Sequence, residues 1–169
     1  MRTEIQLAGF GGQGIVLSGL ILGEAAILDG LNAVQTQSYG PESRGGAARS
    51  DVIISNMGID YPKVVSPNVL VTLSQPAYDK YHSLISEKGL LIVDADLVES
   101  EASALRVPFS KLADELGRRI VANVIMLGTL AKVSECVSRE SLERAVLRNI
   151  PKGTEELNLK ALAAGFGSS

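Results

Sequence analysis

The sequence predicts an α/β fold in which a mostly parallel, mixed central sheet carries helices on both faces, and three observations support it. A short apolar run at residues 5–8 stops at a glycine turn and feeds a long apolar segment, residues 15–28, as a strand entering a helix would. Two further unbroken apolar runs, 69–73 and 90–93, have the length of strands covered on both faces. Segments with helix caps and helical periodicity follow each run, the alternation of a parallel sheet built by crossovers.

The turn after the first strand reads Gly9-Phe10-Gly11-Gly12-Gln13-Gly14. A glycine turn opening a helix leaves N–H groups unpaired beside the positive end of the helix dipole, which suits an anion. The spacing Gly9-x-Gly11-x-x-Gly14 also matches the dinucleotide fingerprint and makes the expected fold a three-layer, Rossmann-like domain. That fingerprint calls for an acidic residue at the end of the second strand, and residues 33–37 carry none. Two readings stay open: the glycines bind a phosphate, or they only let helix and sheet meet closely. Segment 15–28 is apolar on nearly every side, with Gly19 and Gly23 one turn apart for close packing, and Asp29-Gly30 ends it. The strand at 33–37 then follows in register for a right-handed crossover. Its loop, 38–50, is rich in glycine and polar groups and is expected at the same carboxyl edge as the glycine turn. Arg44 and Arg49 would there add cationic donors to an anion site; alternatively they pair with Glu42 and Asp51.

Farther along, residues 51–55 predict a strand, 56–58 a turn and 59–61 a returning strand stopped by Pro62, a hairpin that makes the sheet mixed. Ser74 with Pro76 starts a helix that Lys88-Gly89 ends. Asp94 and Asp96, after the strand at 90–93, read as turn or cap residues in preference to metal ligands. Residues 107–109 suit an edge strand; Ser110 caps a helix closed by Gly117. Residues 120–132 form a buried helix with Asn123 near its start and Gly128 at a close-packed point. Ser138 caps a helix with Leu142, Val146 and Ile150 on one face, before Pro151. Thr154 caps the last, which carries Glu155 and Glu156 in its first turn and Gly165 at its end. The expected organisation is one domain over 1–166 and a disordered tail, 167–169.

Composition excludes several function classes. With 16 Lys and Arg against 19 Asp and Glu, scattered, there is no general attraction to nucleic acid or anionic lipid. Aromatics at 4% are too few for a base-stacking platform. Residues 5–23 are uncharged, but six glycines and two glutamines argue against a membrane span or leader, and a cytoplasmic location is expected. Cys136 is the one thiol, so no internal disulfide, cysteine-held cluster or four-cysteine zinc site can form. His82, the one imidazole, falls in an amphipathic segment with Tyr78 and Tyr81 and reads as a packed or surface residue.

Two motifs, Gly9-Phe10-Gly11-Gly12-Gln13-Gly14 and Ser38-Tyr39-Gly40-Pro41-Glu42-Ser43-Arg44-Gly45-Gly46, together resemble the gamma subunit of 2-oxoacid:ferredoxin oxidoreductases, the second motif looking most like the 2-oxoglutarate branch. The likeness continues through residues 73–78, 123–128 and 156–162. It implies a hetero-oligomer that converts a 2-oxoacid and coenzyme A to acyl-CoA and CO2 while reducing ferredoxin. Thiamine diphosphate, Mg and iron-sulfur clusters are then expected on alpha, beta and ferredoxin-like delta partners. This chain would bring no catalytic residue, metal site or cofactor of its own, and be inactive alone. The resemblance implies that the gamma unit helps enclose coenzyme A, which makes Gly9, Gly11, Gly12, Gln13, Gly14 and Arg44 candidate contacts to its phosphates. The alternative is that both loops only form a subunit interface. Competing readings are a stand-alone Rossmann-type nucleotide-binding protein and a small regulatory ligand-binding protein, monomeric or a homodimer.

Overall fold

The computed structural model describes residues 1–38 and 48–168. In chain order the elements are β1 (Arg2–Gly9), α1 (Ile15–Leu28), β2 (Asn32–Ser38), β3 (Ala48–Ser55), β4 (Val69–Thr72), α2 (Gln75–Tyr81), β5 (Leu90–Asp94), β6 (Leu105–Val107), α3 (Phe109–Glu115), α4 (Ala122–Ser134), α5 (Arg139–Arg148) and α6 (Glu155–Gly167). The strands form one sheet in the order β2-β3-β1-β4-β5-β6. β1, β4, β5 and β6 run parallel, while β3 is antiparallel to both β1 and β2.

Period-two alternation divides the core between the two faces of the sheet. Ile5, Leu7, Val52, Ile54, Val71 and Ile92 point to one side, where α1 and α3 to α6 cover them. Ala8, Leu70, Leu91 and Val93 point to the other, against Ala77, Tyr78 and Tyr81 of α2. The result is the three-layer, Rossmann-like arrangement with a mixed sheet that the sequence predicts. Among the described residues no helix is long and apolar enough to cross a membrane.

Several local expectations are corrected. The mixed character does not come from a hairpin at 51–61, because residues 59–61 form no strand. Instead β3 is inserted between β1 and β2, so β2 lies at the sheet edge, two strands from β1. α2 stops at Tyr81 and continues only as a short 3-10 turn, His82–Leu84, well before Lys88-Gly89. Ser110 is the second helical residue of α3, whose N-cap is Pro108. Thr154 is the N-cap residue of α6 as expected, but its hydroxyl donates to Pro151 O and makes no side-chain cap bond. Gly165 is buried inside α6, which runs on through Gly167, the first residue of the expected tail, and Ser169 lies outside the described residues.

The ends of α1 are set by sequence in ways that matter for the site. At its C-terminus Gly30 takes φ 79°, its N–H reaches Ile27 O at 2.9 Å and the N–H of Leu31 reaches Ala26 O at 3.0 Å, a Schellman closure. Asp29 then reaches across to the start of α5. Its carboxylate accepts from Ser138 N–H, Ser138 Oγ and Ser141 Oγ, each at 2.6 Å. Partial burial raises the Asp29 pKa, but the serine hydrogen bonds outweigh it and hold the carboxyl below its ordinary value. The sign of the linkage follows. The stabilisation is present above the ordinary aspartate value and is lost as pH falls through the folded value. Asp29→Asn is expected to cost about 1 kcal/mol at neutral pH, typical of a lost helix cap. In urea melts at a series of pH values the gap from wild type should narrow below about pH 4.

Helices α4 and α6 approach at Gly128 and Gly165. A Cβ on Gly128 would lie 2.5 Å from Leu162 O, and one on Gly165 would overlap Ile125 O. The Thr129 hydroxyl donates to Gly165 O at 2.9 Å across the same contact.

Candidate functional site at the carboxyl edge of the sheet

β1, β4 and β5 end side by side at Gly9, Thr72 and Asp94, and the glycine turn rises from this edge into α1. Its glycines do different things. Gly12 and Gly14 take φ 88° and 73°, left-handed values that favour glycine. Gly9 and Gly14 are also close-packed: a Cβ on Gly9 would strike Gln13 Oε1, and one on Gly14 would lie 2.5 Å from Asn123 Nδ2. Around Gly11 and Gly12 no atom of the described residues lies within 4 Å of the Cβ position, so among these residues the two face open space.

Gln13 fastens the turn from inside. Its Oε1 accepts from Phe10 N–H at 2.6 Å, and its Nε2 donates to Leu73 O, just past β4, at 3.0 Å. Both ends of the amide are therefore engaged within the chain. The helix start is open by contrast: Gly14, the N-cap, supplies no side-chain cap, and no carboxylate sits in the first turn of α1. Gly14 O accepts from both Ser18 N–H and Ser18 Oγ.

Hollows flank the turn on two sides. Toward β4 and β5 lies a crevice of about 540 Å³ bounded by Phe10, Leu73, Asp94, Arg119 and Ile120. On the other side a mostly apolar groove of about 430 Å³ runs between the starts of α1, α4 and α6, walled by Ile15, Ile21, Val124, Ile150 and Leu157. Phe10, Gly12 and Ile120 border both. The 3-10 turn Arg119–Val121 and the segment before α6 thus frame the site from more than 100 residues away in sequence. No periodicity or motif marks them as neighbours of the glycine turn.

The other candidate residues are placed as follows. Arg44 and its flanking residues, 39–47, lie outside the described residues. The Cα of Arg49 pairs with Ala8, but its guanidinium does not serve the glycine turn. It grips Asp51 through Nε at 2.9 Å and Nη2 at 2.7 Å, donates to Val64 O and lies 5.3 Å over the Tyr81 ring, on the α2 side of the sheet. Burial lowers the Arg49 pKa and the Asp51 hydrogen bonds and charge more than restore it; burial raises that of Asp51 despite the partner. Each shift reflects one partly buried pair, and burial opposes charge on both members.

Asp94 acts as a turn and cap residue. Its Oδ1 accepts from Asp96 N–H at 3.1 Å, and its Oδ2 from Ser110 N–H and Oγ at 3.0 and 2.8 Å, which ties the end of β5 to the first turn of α3. His82 stacks on Tyr78 with ring centroids 4.6 Å apart, and its Nδ1 lies 2.8 Å from Tyr78 O. Cys136 is buried, which pushes its thiol pKa up. Among the described residues no three His, Cys, Asp or Glu side chains group to hold a metal. With one thiol in the sequence, this chain by itself does not supply the four cysteines that hold an iron-sulfur cluster.

The profile of the family described as Pyruvate ferredoxin/flavodoxin oxidoreductase matches residues 4–168. The chain is 53% identical to the 2-oxoglutarate synthase subunit KorC of Methanocaldococcus jannaschii, a match covering 98% of this chain and 93% of that one. It is 33% identical to the ketoisovalerate oxidoreductase subunit VorA of Methanothermobacter thermautotrophicus, over 97% of this chain but only 36% of that longer one. Among solved structures, the gamma subunit of a keto/oxoacid ferredoxin oxidoreductase from Geobacter sulfurreducens superposes with a TM-score of 0.90 at 42% identity, covering 99% of this chain and 96% of that one.

Proposed function

Since the chain belongs to the pyruvate ferredoxin/flavodoxin oxidoreductase family, as a gamma-subunit-like member most similar to KorC proteins, we propose that it is the cofactor-free gamma subunit of a 2-oxoglutarate:ferredoxin oxidoreductase. The assembled enzyme converts 2-oxoglutarate, coenzyme A and oxidised ferredoxin to succinyl-CoA, CO2 and reduced ferredoxin. Alpha, beta and ferredoxin-like delta subunits carry thiamine diphosphate, Mg and the iron-sulfur clusters; thiamine diphosphate supplies the electron sink for decarboxylation. The observation that carries this reading is 53% identity to a 2-oxoglutarate synthase subunit across nearly the full length of both chains. Co-expression with the neighbouring subunits, followed by assay of the purified complex with a viologen acceptor against a panel of 2-oxoacids, tests it. Highest kcat/KM on 2-oxoglutarate is expected, and a clear preference for pyruvate or a branched 2-oxoacid would refute the assignment.

Within that enzyme the glycine turn and Arg44 help to enclose coenzyme A. Gly11 and Gly12 are open among the described residues, and the start of α1 presents N–H groups without a side-chain cap and has no carboxylate in its first turn, which suits a phosphate. Gln13 and Gly9 hold the turn in shape from behind. Arg44→Ala in the assembled enzyme is expected to raise the KM for coenzyme A about tenfold, the loss of one charge-assisted phosphate contact, with the KM for the 2-oxoacid unchanged. An unaltered KM for coenzyme A rejects the role.

A further inference from the structure

The apolar groove beside the glycine turn is not accounted for by an anion site. Its walls are aliphatic, and its rim carries Phe10, Leu17 and Ile120 at 43%, 37% and 68% exposure. Single exposed apolar side chains are ordinary on a folded protein, but several around one concave apolar surface mark a place where something packs. The polar groups in the lining narrow the choice. Asn149 and Asn158 are engaged within the chain, the first to Glu24 and Ala145 O, the second to Thr154 O. Arg118 is exposed and, among the described residues, has no ion-pair partner; no Asp or Glu lines the groove. An apolar occupant with a carboxylate at its edge is what this surface complements.

A longer relative suggests where such an occupant comes from. In VorA the matching unit makes up 36% of the polypeptide, so in that relative it is covalently joined to a longer remainder. We infer that the groove seats a segment of the partner subunit equivalent to the rest of that longer chain, with large apolar side chains between α1 and α6 and an acidic side chain meeting Arg118. The inference rests on the gamma-subunit reading and names the surface through which the subunit is held. A cavity of about 430 Å³ has room for more than one large side chain, and a central apolar cluster with an arginine at its margin is typical of an interface hot spot.

The test uses the co-expressed complex with Ile120→Glu, Arg118→Glu and Arg118→Lys. Met57→Glu serves as control, since Met57 is 70% exposed and lies outside the groove lining. All are surface changes, so the lone chains should melt as wild type does. Ile120→Glu and Arg118→Glu are expected to weaken recovery of the partner subunits about tenfold or more, while Arg118→Lys and Met57→Glu assemble normally. Undiminished assembly of Ile120→Glu and Arg118→Glu overturns the inference. So does a lone-chain homodimer that Ile120→Glu splits while the complex still forms, because the groove would then belong to a second copy. Failure of the wild-type chain to join any partner defeats the gamma-subunit reading itself, which is a different result from failure of the variants alone.

Discussion

Gly165→Ala is expected to destabilise the protein by about 3 kcal/mol, the upper part of the usual range for overpacking a well-filled core. An added methyl would overlap Ile125 O and lie 2.9 Å from the Ile125 carbonyl carbon and 3.0 Å from Gly128 Cα. These are backbone atoms of a buried helix, so no side-chain rotation relieves the clash and α6 must move as a body. Alanine gains up to about 1 kcal/mol in helix propensity, too little to compensate. For a chain of this size the melting temperature should fall by roughly 6–12 °C. Gly23→Ala in α1 is the matched control: no atom lies within 4 Å of its Cβ position, so only the propensity gain remains and the melting temperature should rise slightly. Equal shifts for the two variants in thermal scans would show that α4 and α6 do not meet as described.

Gly14→Ala combines two costs at the glycine turn, and a double-mutant cycle can separate them. Holding a non-glycine residue at φ 73° costs about 1–2 kcal/mol, and the Cβ placed 2.5 Å from Asn123 Nδ2 adds a steric penalty, for a total of about 2–3 kcal/mol. Asn123→Ala in the Gly14→Ala background removes the clash but not the backbone strain. The pair should therefore be less than additive in urea melts, with about 1–2 kcal/mol remaining from the left-handed conformation. Strict additivity would mean that Asn123 does not abut the turn.

The contrast between these two glycines shows how far the sequence could be read. Gly14 follows a strand and precedes a helix, a local signal, and α1 spans the residues its apolar pattern predicts. Gly165 stands near the end of an apolar segment, where glycine usually stops a helix. Only its contact with Ile125 and Gly128, set by the crossing of α4 and α6, explains why it lies inside one. The sheet order was hidden for the same reason. β3 has the composition of any buried strand, and nothing local distinguishes pairing with β1 and β2 from pairing with the residues that follow Met57. In the site, the glycine turn was legible because its spacing is contiguous. Arg118, Ile120 and Asn123 were not, because the chain returns to the turn only after more than 100 residues. Of the two sequence readings of Arg49, the structure bears out the pairing with Asp51: the pleat turns the side chain toward Asp51 and Tyr81, away from the glycine turn.

The clasp between Asp29 and the start of α5 joins residues 109 and 112 positions apart. A nascent chain emerging from the ribosome can lay down β1, α1 and β3 early, yet α1 gains its outer cover only when α4 and α5 follow. During synthesis the apolar first helix therefore waits through most of translation half-clothed. That interval is when its apolar surface is most open to misassociation.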